Sequence, residues 1–370
     1  MASFLHTADI HVGAKFKGLG DEKGNIRRED ILQTLRKIVD LVIDRDLDGL
    51  LIVGDLFDER AVNAATISMV SSVLSKLGSS GKWCVIVPGN HDPIGDDSLY
   101  NKASFPSDTI IVKDAGQFER IELPGLIVFA SAFSEENRTV PKLQERNFET
   151  VEGTPIIVAI HGSVEPANNL WSSNAEGSQY CPISVNDIEK LDVDYVALGH
   201  FHSYRQVTSK PPALYPGSPE SLGYDEIGQR YVAAVNVDSA GVQIEKIPVG
   251  EKTYVQIPES IEEWDEAKIA DILEKNSDRN KLLRWKIKGW AKEGNFIDIE
   301  NILNAFNNQY FDLKVETELL LPEDLTVGSD YSAISIFKRK MLDAIKECEN
   351  PVEKKRLTEA YMLGVSLFGG

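Results

Sequence analysis

The chain has 370 residues, of which 42% are apolar and 26% charged, the composition of a globular protein with room for one large domain and a smaller one. No stretch approaches the roughly 20 unbroken apolar residues of a membrane span, and MASFLHTADIHVG lacks the charged region that opens a signal peptide. A formal net charge of −19 argues against a nucleic-acid partner, because phosphate binding normally leaves a basic footprint.

Residues 3–10 read as a short buried strand followed by a Gly/Lys loop. Apolar residues at helical spacing (Ile31, Leu35, Ile38, Val39, Val42) predict a helix over 28–46. GLLIVGD is the next strand, 65–77 a second helix, and KWCVIVPGNHD a third strand. Strand, helix, strand with short loops implies parallel pairing in a layered α/β core. Short apolar runs over 108–134, then TPIIVAIHG and DVDYVALGHFH, add strands, and strands dominate to about residue 257. The expected architecture is α/β, a two-sheet β-sandwich flanked by helices.

The pattern changes near Pro258. Here 261–275 reads as helix, 281–290 as strand, 298–310 as helix and 311–321 as strand, a small α+β unit. Residues 329–349 form a capped amphipathic helix, and a second helix follows Pro351. The expected domains are therefore 1–257, 258–325 and a helical tail over 326–370. Cys84, Cys181 and Cys348 are scattered, without metal-binding spacing, which fits a reducing, cytoplasmic setting. AKFKG (14–18) and IRRED (26–30) form a local basic patch or an ordinary solvated loop; the sequence leaves both open.

Five of the six histidines stand in or just after turns that end apolar strands: His11, His91, His161, His200 and His202. Asp9, Asp55 and Asp92 share that position, and Asn90 adds an amide oxygen. Any one of these is an ordinary polar residue at a strand end. Together they form a ligand set, since ligands gather at the carboxyl ends of strands in layered α/β proteins. Histidine with carboxylate suits Mn, Fe or Zn better than Ca or Mg. His6 is left over and reads as a packed residue.

The order Asp9-x-His11, Gly54-Asp55-x-x-Asp58, Gly89-Asn90-His91-Asp92, His161, Gly199-His200-x-His202 resembles the calcineurin-like metallophosphoesterases. LHTADIHVG and YPGSPESLGYDE (215–226) are further similar to the SbcD-type DNA-repair nucleases, the meiotic recombination eleven family. The α+β unit and tail resemble that family's capping domain and partner-binding helices in layout.

The resemblance implies a Mn-dependent DNA exo- and endonuclease, the nuclease subunit of a double-strand-break repair complex. It implies two metal ions, one held by Asp9, His11, Asp55 and His202, the other by Asp55, Asn90, His161 and His200, with Asp55 bridging. His91 would be the general acid, oriented by Asp58. Arg60 reaches a substrate phosphate or is a plain surface arginine, and Asp92 supports its turn. The competing function is a small-molecule or phosphoprotein phosphoesterase on the same site. The chain has no G-x-x-x-x-G-K-[ST] loop, so an SbcC-type coiled-coil ATPase subunit would supply ATP hydrolysis. The implied partners are that subunit, DNA and a second copy of the chain. The stripe Ile67, Val70, Leu74 and Leu77 serves either a homodimer or the chain's own core. The tail stripe of Tyr331, Ile334, Phe337, Met341 and Ile345, continued by Leu357, Tyr361 and Val365, docks on the ATPase or packs on its own chain.

Overall fold

Layering in the first unit is set by two-residue alternation along its strands. In β2 (Gly49–Val53), Leu50 and Ile52 join one apolar cluster, Leu51 and Val53 another. β1 (Ala2–Thr7) pairs parallel to β2, and β2 to β3 (Trp83–Val87), which pairs parallel to β4 (Thr109–Ile111). On the other side of β1 the antiparallel hairpin of β13 (Tyr231–Asp238) and β14 (Gly241–Pro248) completes a six-stranded mixed sheet, β14-β13-β1-β2-β3-β4.

A second mixed sheet runs β11-β12-β10-β7-β6-β5. Its strands are β5 (Glu119–Leu123), β6 (Leu126–Ser131), β7 (Ile156–His161), β10 (Tyr195–Gly199), β11 (Arg205–Ser209) and β12 (Pro212–Tyr215). A small pair, β8 (Val164–Glu165) and β9 (Ile183–Ser184), lies apart from both sheets. Phe4, Leu51, Val53 and Val85 meet Val128, Ile157, Ala159 and Ala197 between the sheets. The outer face of the first sheet is covered by α1 (Gly20–Asp44) and α2 (Ala64–Ser79). Two single-turn helices, α3 (Leu99–Lys102) and α4 (Val185–Ile188), complete the unit. The sandwich with outer helices is the expected one. At roughly 25 cal/mol per Å², this burial is the main force holding the sheets together.

The computed structural model describes all residues except 59–61, 103, 139–142, 144–147, 149–150, 166–180, 292–296, 321–329 and 369–370. The chain divides into two compact units, Met1–Lys252 and Thr253–Gly370. In the second, β15 (Thr253–Trp264), α5 (Glu266–Asn276), β16 (Asp278–Ala291), α6 (Ile299–Phe306) and β17 (Tyr310–Leu320) alternate, so all three strands pair in parallel. Ile269, Leu273, Leu283, Trp285 and Ile302 form its core. The paired helices α7 (Ala333–Glu347) and α8 (Pro351–Phe368) follow, with α8 touching β17.

Several expectations change. Residues 261–264 belong to β15, because the helix starts only after Asp265, whose carboxylate accepts the Lys268 N–H at 2.7 Å. α1 begins at Gly20 rather than 28, with Gly24 buried inside it. Within IRRED, Arg27 is fully buried, 2.7 Å from Glu220, and adds nothing to a surface patch. Val70, Leu74 and Leu77 are buried in the first unit's own core with Ile67 packed against it, so that stripe is spent within one copy. In the tail, Phe337, Met341 and Ile345 pack with Leu357, Tyr361 and Val365, the Phe337 and Tyr361 rings stacked 6.4 Å apart. The two stripes meet each other within the chain.

Candidate metal centre

The turns after β1 and β2 run side by side. The Asp9 N–H donates to the Gly54 carbonyl at 3.1 Å, and the His11 N–H to the Asp55 carbonyl at 2.9 Å. This brings the first two motifs to one end of the sandwich. The ends of β7 and β10 join them, because β7 and β10 pair with His161 opposite Gly199. Asp9, His11 and Asp55 hold φ of 52°, 54° and 51°, and His200 113°. Non-glycine residues rarely adopt such backbone, and it gathers at functional sites. Gly54 has φ +85°, and a Cβ there would lie 1.7 Å from the His161 ring, so only glycine lets this turn pass.

The side chains converge in overlapping groups. Asp9, His11 and His202 form one, Asp9, Asp55 and His161 another, and His11, Asp58 and His91 a third, with candidate ligand atoms within 4.8 Å of one another in each. His161 Nε2 lies 2.9 Å from Asn90 Oδ1 and 3.3 Å from Asp55 Oδ2. His200 Nδ1 lies 3.2 Å from Asn90 Oδ1, and its N–H donates to both Asp9 oxygens at 3.0 and 3.1 Å. Asp55 Oδ2 is also 3.8 Å from His11 Nε2, and Oδ1 accepts the His91 N–H at 2.9 Å. Asp55 thus stands between the two histidine clusters.

The donor set fits cations. His11 Nδ1 faces Asp58 Oδ1 at 3.0 Å, and His202 Nδ1 faces Glu226 Oε1 at 2.7 Å. Each carboxylate makes its ring's Nδ1 the donor, so the neutral rings present Nε2 lone pairs, 3.2 Å apart, to each other. His161 repeats the arrangement: Nδ1 faces the Val53 carbonyl at 3.2 Å, and Nε2 faces oxygen acceptors. Lone pairs aimed at lone pairs need a positive charge between them, and orientation of ligand histidines by carboxylates or carbonyls behind them is the usual support of a metal site.

The electrostatics agree. Burial pushes the Asp9 carboxyl up, against the pull of His202 and His161. Burial also acts to raise Asp55, but His161, by charge and hydrogen bond, and His11 hold it below the ordinary carboxylate range. Burial acts to lower His161, yet Asp55 and Asp9 lift it to about 9. His202 is likewise lifted to about 9, against burial, by the Glu226 hydrogen bond and Asp9. The pocket therefore draws positive charge, as protons or as metal.

One expected contact differs. The Asp58 carboxylate is engaged by His11, and His91 Nδ1 instead lies 2.8 Å from the Asp58 backbone carbonyl. Asp58 follows Phe57, which bridges Val12 between the two turns, and its N–H donates to the Val12 carbonyl, which points its side chain at His11. Asp92 supports its turn, accepting from the Gly89 and Phe57 N–H groups and, at 2.6 Å, from the Tyr100 hydroxyl. His6 is a core residue, its Nδ1 2.9 Å from the Tyr195 hydroxyl and its pKa lowered by burial to about 3. Arg60 lies outside the described residues. Sequence reading did not find Glu226, although it ends the YPGSPESLGYDE phrase, because nothing in spacing ties it to His202.

Comparison with known proteins gives the same answer. The "Calcineurin-like phosphoesterase" family model matches residues 2–204. The chain is 25% identical over 251 residues to the uncharacterized metallophosphoesterase YhaO of Bacillus subtilis, covering 66% of this chain and 59% of that protein. It is 26% identical to the DNA double-strand break repair protein Mre11 of Aeropyrum pernix (67% and 61% covered). It is also 26% identical to a subunit of the nuclease SbcCD of Bacillus subtilis (64% and 66%). The match thus spans about three-fifths of the first two relatives. With a family match over more than half its length and a site whose lone pairs converge as that chemistry requires, the chain belongs to the calcineurin-like phosphoesterase family.

Proposed function

We propose that the chain is a Mn-dependent DNA nuclease, the nuclease subunit of a break-repair complex. The observation that carries the metal part is the convergence of Asp9, His11, Asp55, Asn90, His161, His200 and His202 at one end of the sandwich. Asp9, His11, Asp55 and His202 would hold one ion, and Asp55, Asn90, His161 and His200 the second. Two such cations supply positive charge to a phosphodiester and a hydroxide nucleophile at neutral pH. They also offset part of the chain's net charge where a nucleic acid would lie. The choice of DNA over other esters is supported by the relatives named as a repair protein and as part of a nuclease.

His91 is exposed beside the cluster, its ring 4.8 Å from that of His11. The Asp58 carbonyl engages Nδ1. Nε2 is then the atom that gives a proton to the leaving oxygen as general acid. Asp58 serves this step by holding His91 through its main chain and His11 through its side chain.

By the same resemblance, the tail is the proposed docking site for an SbcC-type ATPase subunit. Its own pairing leaves Leu363 and Leu367, one turn apart on α8, exposed, apolar anchors at the spacing that helix-in-groove recognition uses. A homodimer is expected from the same resemblance. No helix among the described residues is long and apolar enough to cross a membrane. The three cysteines are free, which supports a cytoplasmic setting.

The test is turnover with Mn of a single-stranded oligonucleotide against a small phosphomonoester. Preferred cleavage of DNA is expected. Turnover of the monoester alone would favour the small-molecule phosphoesterase.

A further inference from the structure

YPGSPESLGYDE holds no residue of the proposed ligand set, yet most of its polar side chains are buried. Their partners tie the segment both to the site and to the body of the unit. Gly217 has φ +76°, and a Cβ there would lie 2.5 Å from the His202 carbonyl, so the segment passes directly against the His202 backbone. The Ser218 N–H donates to that same carbonyl at 3.1 Å. Arg230, just beyond the phrase, donates to the His202 carbonyl too, and to the Ser218 hydroxyl at 2.7 Å. Glu220 is fully buried against Arg27 of α1 and accepts the Glu251 N–H at 2.7 Å, which anchors the segment to the body of the unit.

The phrase ends on Glu226, only 7% exposed. Its Oε1 lies 2.7 Å from His202 Nδ1. Its Oε2 accepts the Ser218 hydroxyl at 2.6 Å, with the Arg230 guanidinium 3.5 Å away. The Ser221 hydroxyl donates to the Glu226 carbonyl at 2.9 Å. A carboxylate fixed at both oxygens and at its backbone cannot swing away from the ring it faces.

We infer that Glu226 is a positioning residue for the metal centre, fixing His202 with its proton on Nδ1 and its Nε2 lone pair on one ion. It rests on the two-ion reading above. Glu226 holds His202, a proposed ligand of the first ion alone, and its other side-chain contacts run to Ser218, Leu222 and Arg230, so the effect of losing Glu226 should fall mainly on the first ion. Loss of such an orienting partner weakens metal binding by about 10- to 100-fold. Ser218 and Arg230 act one step further out, by holding Glu226 in place.

The experiment is Mn titration of the full chain by calorimetry, for wild type and Glu226→Gln, with the His202 tautomer read by ¹⁵N resonance before Mn is added, at alkaline pH where the ring is neutral. Wild type is expected to bind two ions and to keep His202 on the Nδ1–H tautomer. Glu226→Gln is expected to bind one ion as wild type does and the other about 10- to 100-fold more weakly, with both tautomers populated. Should Glu226→Gln not fold, Ser218→Ala removes one hydrogen bond to the same carboxylate, and a smaller weakening confined to one ion is expected. Two ions at wild-type affinity with an unchanged His202 tautomer, in whichever of these variants folds, would overturn the role of Glu226 and leave the metal centre standing. A wild-type chain that binds no Mn would overturn the metal centre itself.

Discussion

His11 and His202 face each other through their Nε2 atoms, 3.2 Å apart, each ring held from behind by a carboxylate, Asp58 for one and Glu226 for the other. Burial acts to lower His161 and His202, but Asp55 and Asp9 lift the first, and Glu226 and Asp9 the second, to about 9, so without a metal ion the pocket holds protons. A histidine raised above its unfolded value of about 6.5 contributes stability fully below that pH and loses it as pH rises through the folded value. The chelated chain is therefore expected to lose thermal stability between about pH 6.5 and 9. Mn should restore it, and should bind more tightly as pH rises, because fewer protons have to leave. Melting curves with chelator and with Mn across that range check both trends.

Arg27 and Glu220 are buried at 0% exposure and 2.7 Å apart. Arg27 also pairs with Asp30 at 2.8 Å, and Glu220 also accepts from the Thr34 hydroxyl and the Glu251 and Lys252 N–H groups, so removing Glu220 weakens the compensation of a buried charge and strands three donors, a loss of about 3 to 5 kcal/mol. Glu220→Leu should lower the urea midpoint accordingly. Arg27→Met together with Glu220→Leu should recover only part of the loss, because the apolar pair removes the buried charges but leaves the Thr34 hydroxyl and the Glu251 and Lys252 N–H groups without their acceptor.

The sandwich was legible because its signal is local. Buried runs such as Leu50–Val53 and the helical stripe from Ile31 to Val42 report their own periodicity. The proposed ligand set was legible as a cluster because each member sits at the end of such a run. Long-range pairings were not. Asp58 meeting His11, and Glu226 meeting His202, depend on turns that only the assembled sheets bring together. Arg27 read as a surface charge because its partner is far away in sequence. In β15, Ile261 and Trp264 looked helical because they stand three residues apart, a helical spacing, whereas pairing with β16 keeps them in the strand and the Asp265 cap starts the helix only afterwards.

His91 touches the cluster without lying among the proposed ligands. His91→Ala is expected to keep both ions in a metal analysis while DNA turnover with Mn falls by about a hundredfold or more, the scale of general acid catalysis. Unchanged turnover would remove His91 from the mechanism.

In the tail, the proposed docking role can be tested apart from folding. Tyr361 is fully buried between α7 and α8, and Tyr361→Ala should cost about 3 kcal/mol, the scale for losing a large core ring. Leu363 and Leu367 lie one turn apart and are 42% and 76% exposed. Leu363→Glu with Leu367→Glu should leave the melting temperature nearly unchanged but abolish co-purification of the ATPase subunit. Retained co-purification would place the docking surface elsewhere.

Asp55 is the position at which the two halves of the proposed centre meet, with Oδ2 3.3 Å from His161 Nε2 and 3.8 Å from His11 Nε2. Counting bound Mn after loading and desalting, in wild type and in Asp55→Ala, tests the two-ion centre most directly. Two ions per wild-type chain, with neither held at wild-type affinity once Asp55 is gone, is the expected result. Two ions retained by Asp55→Ala at unchanged affinity would contradict it.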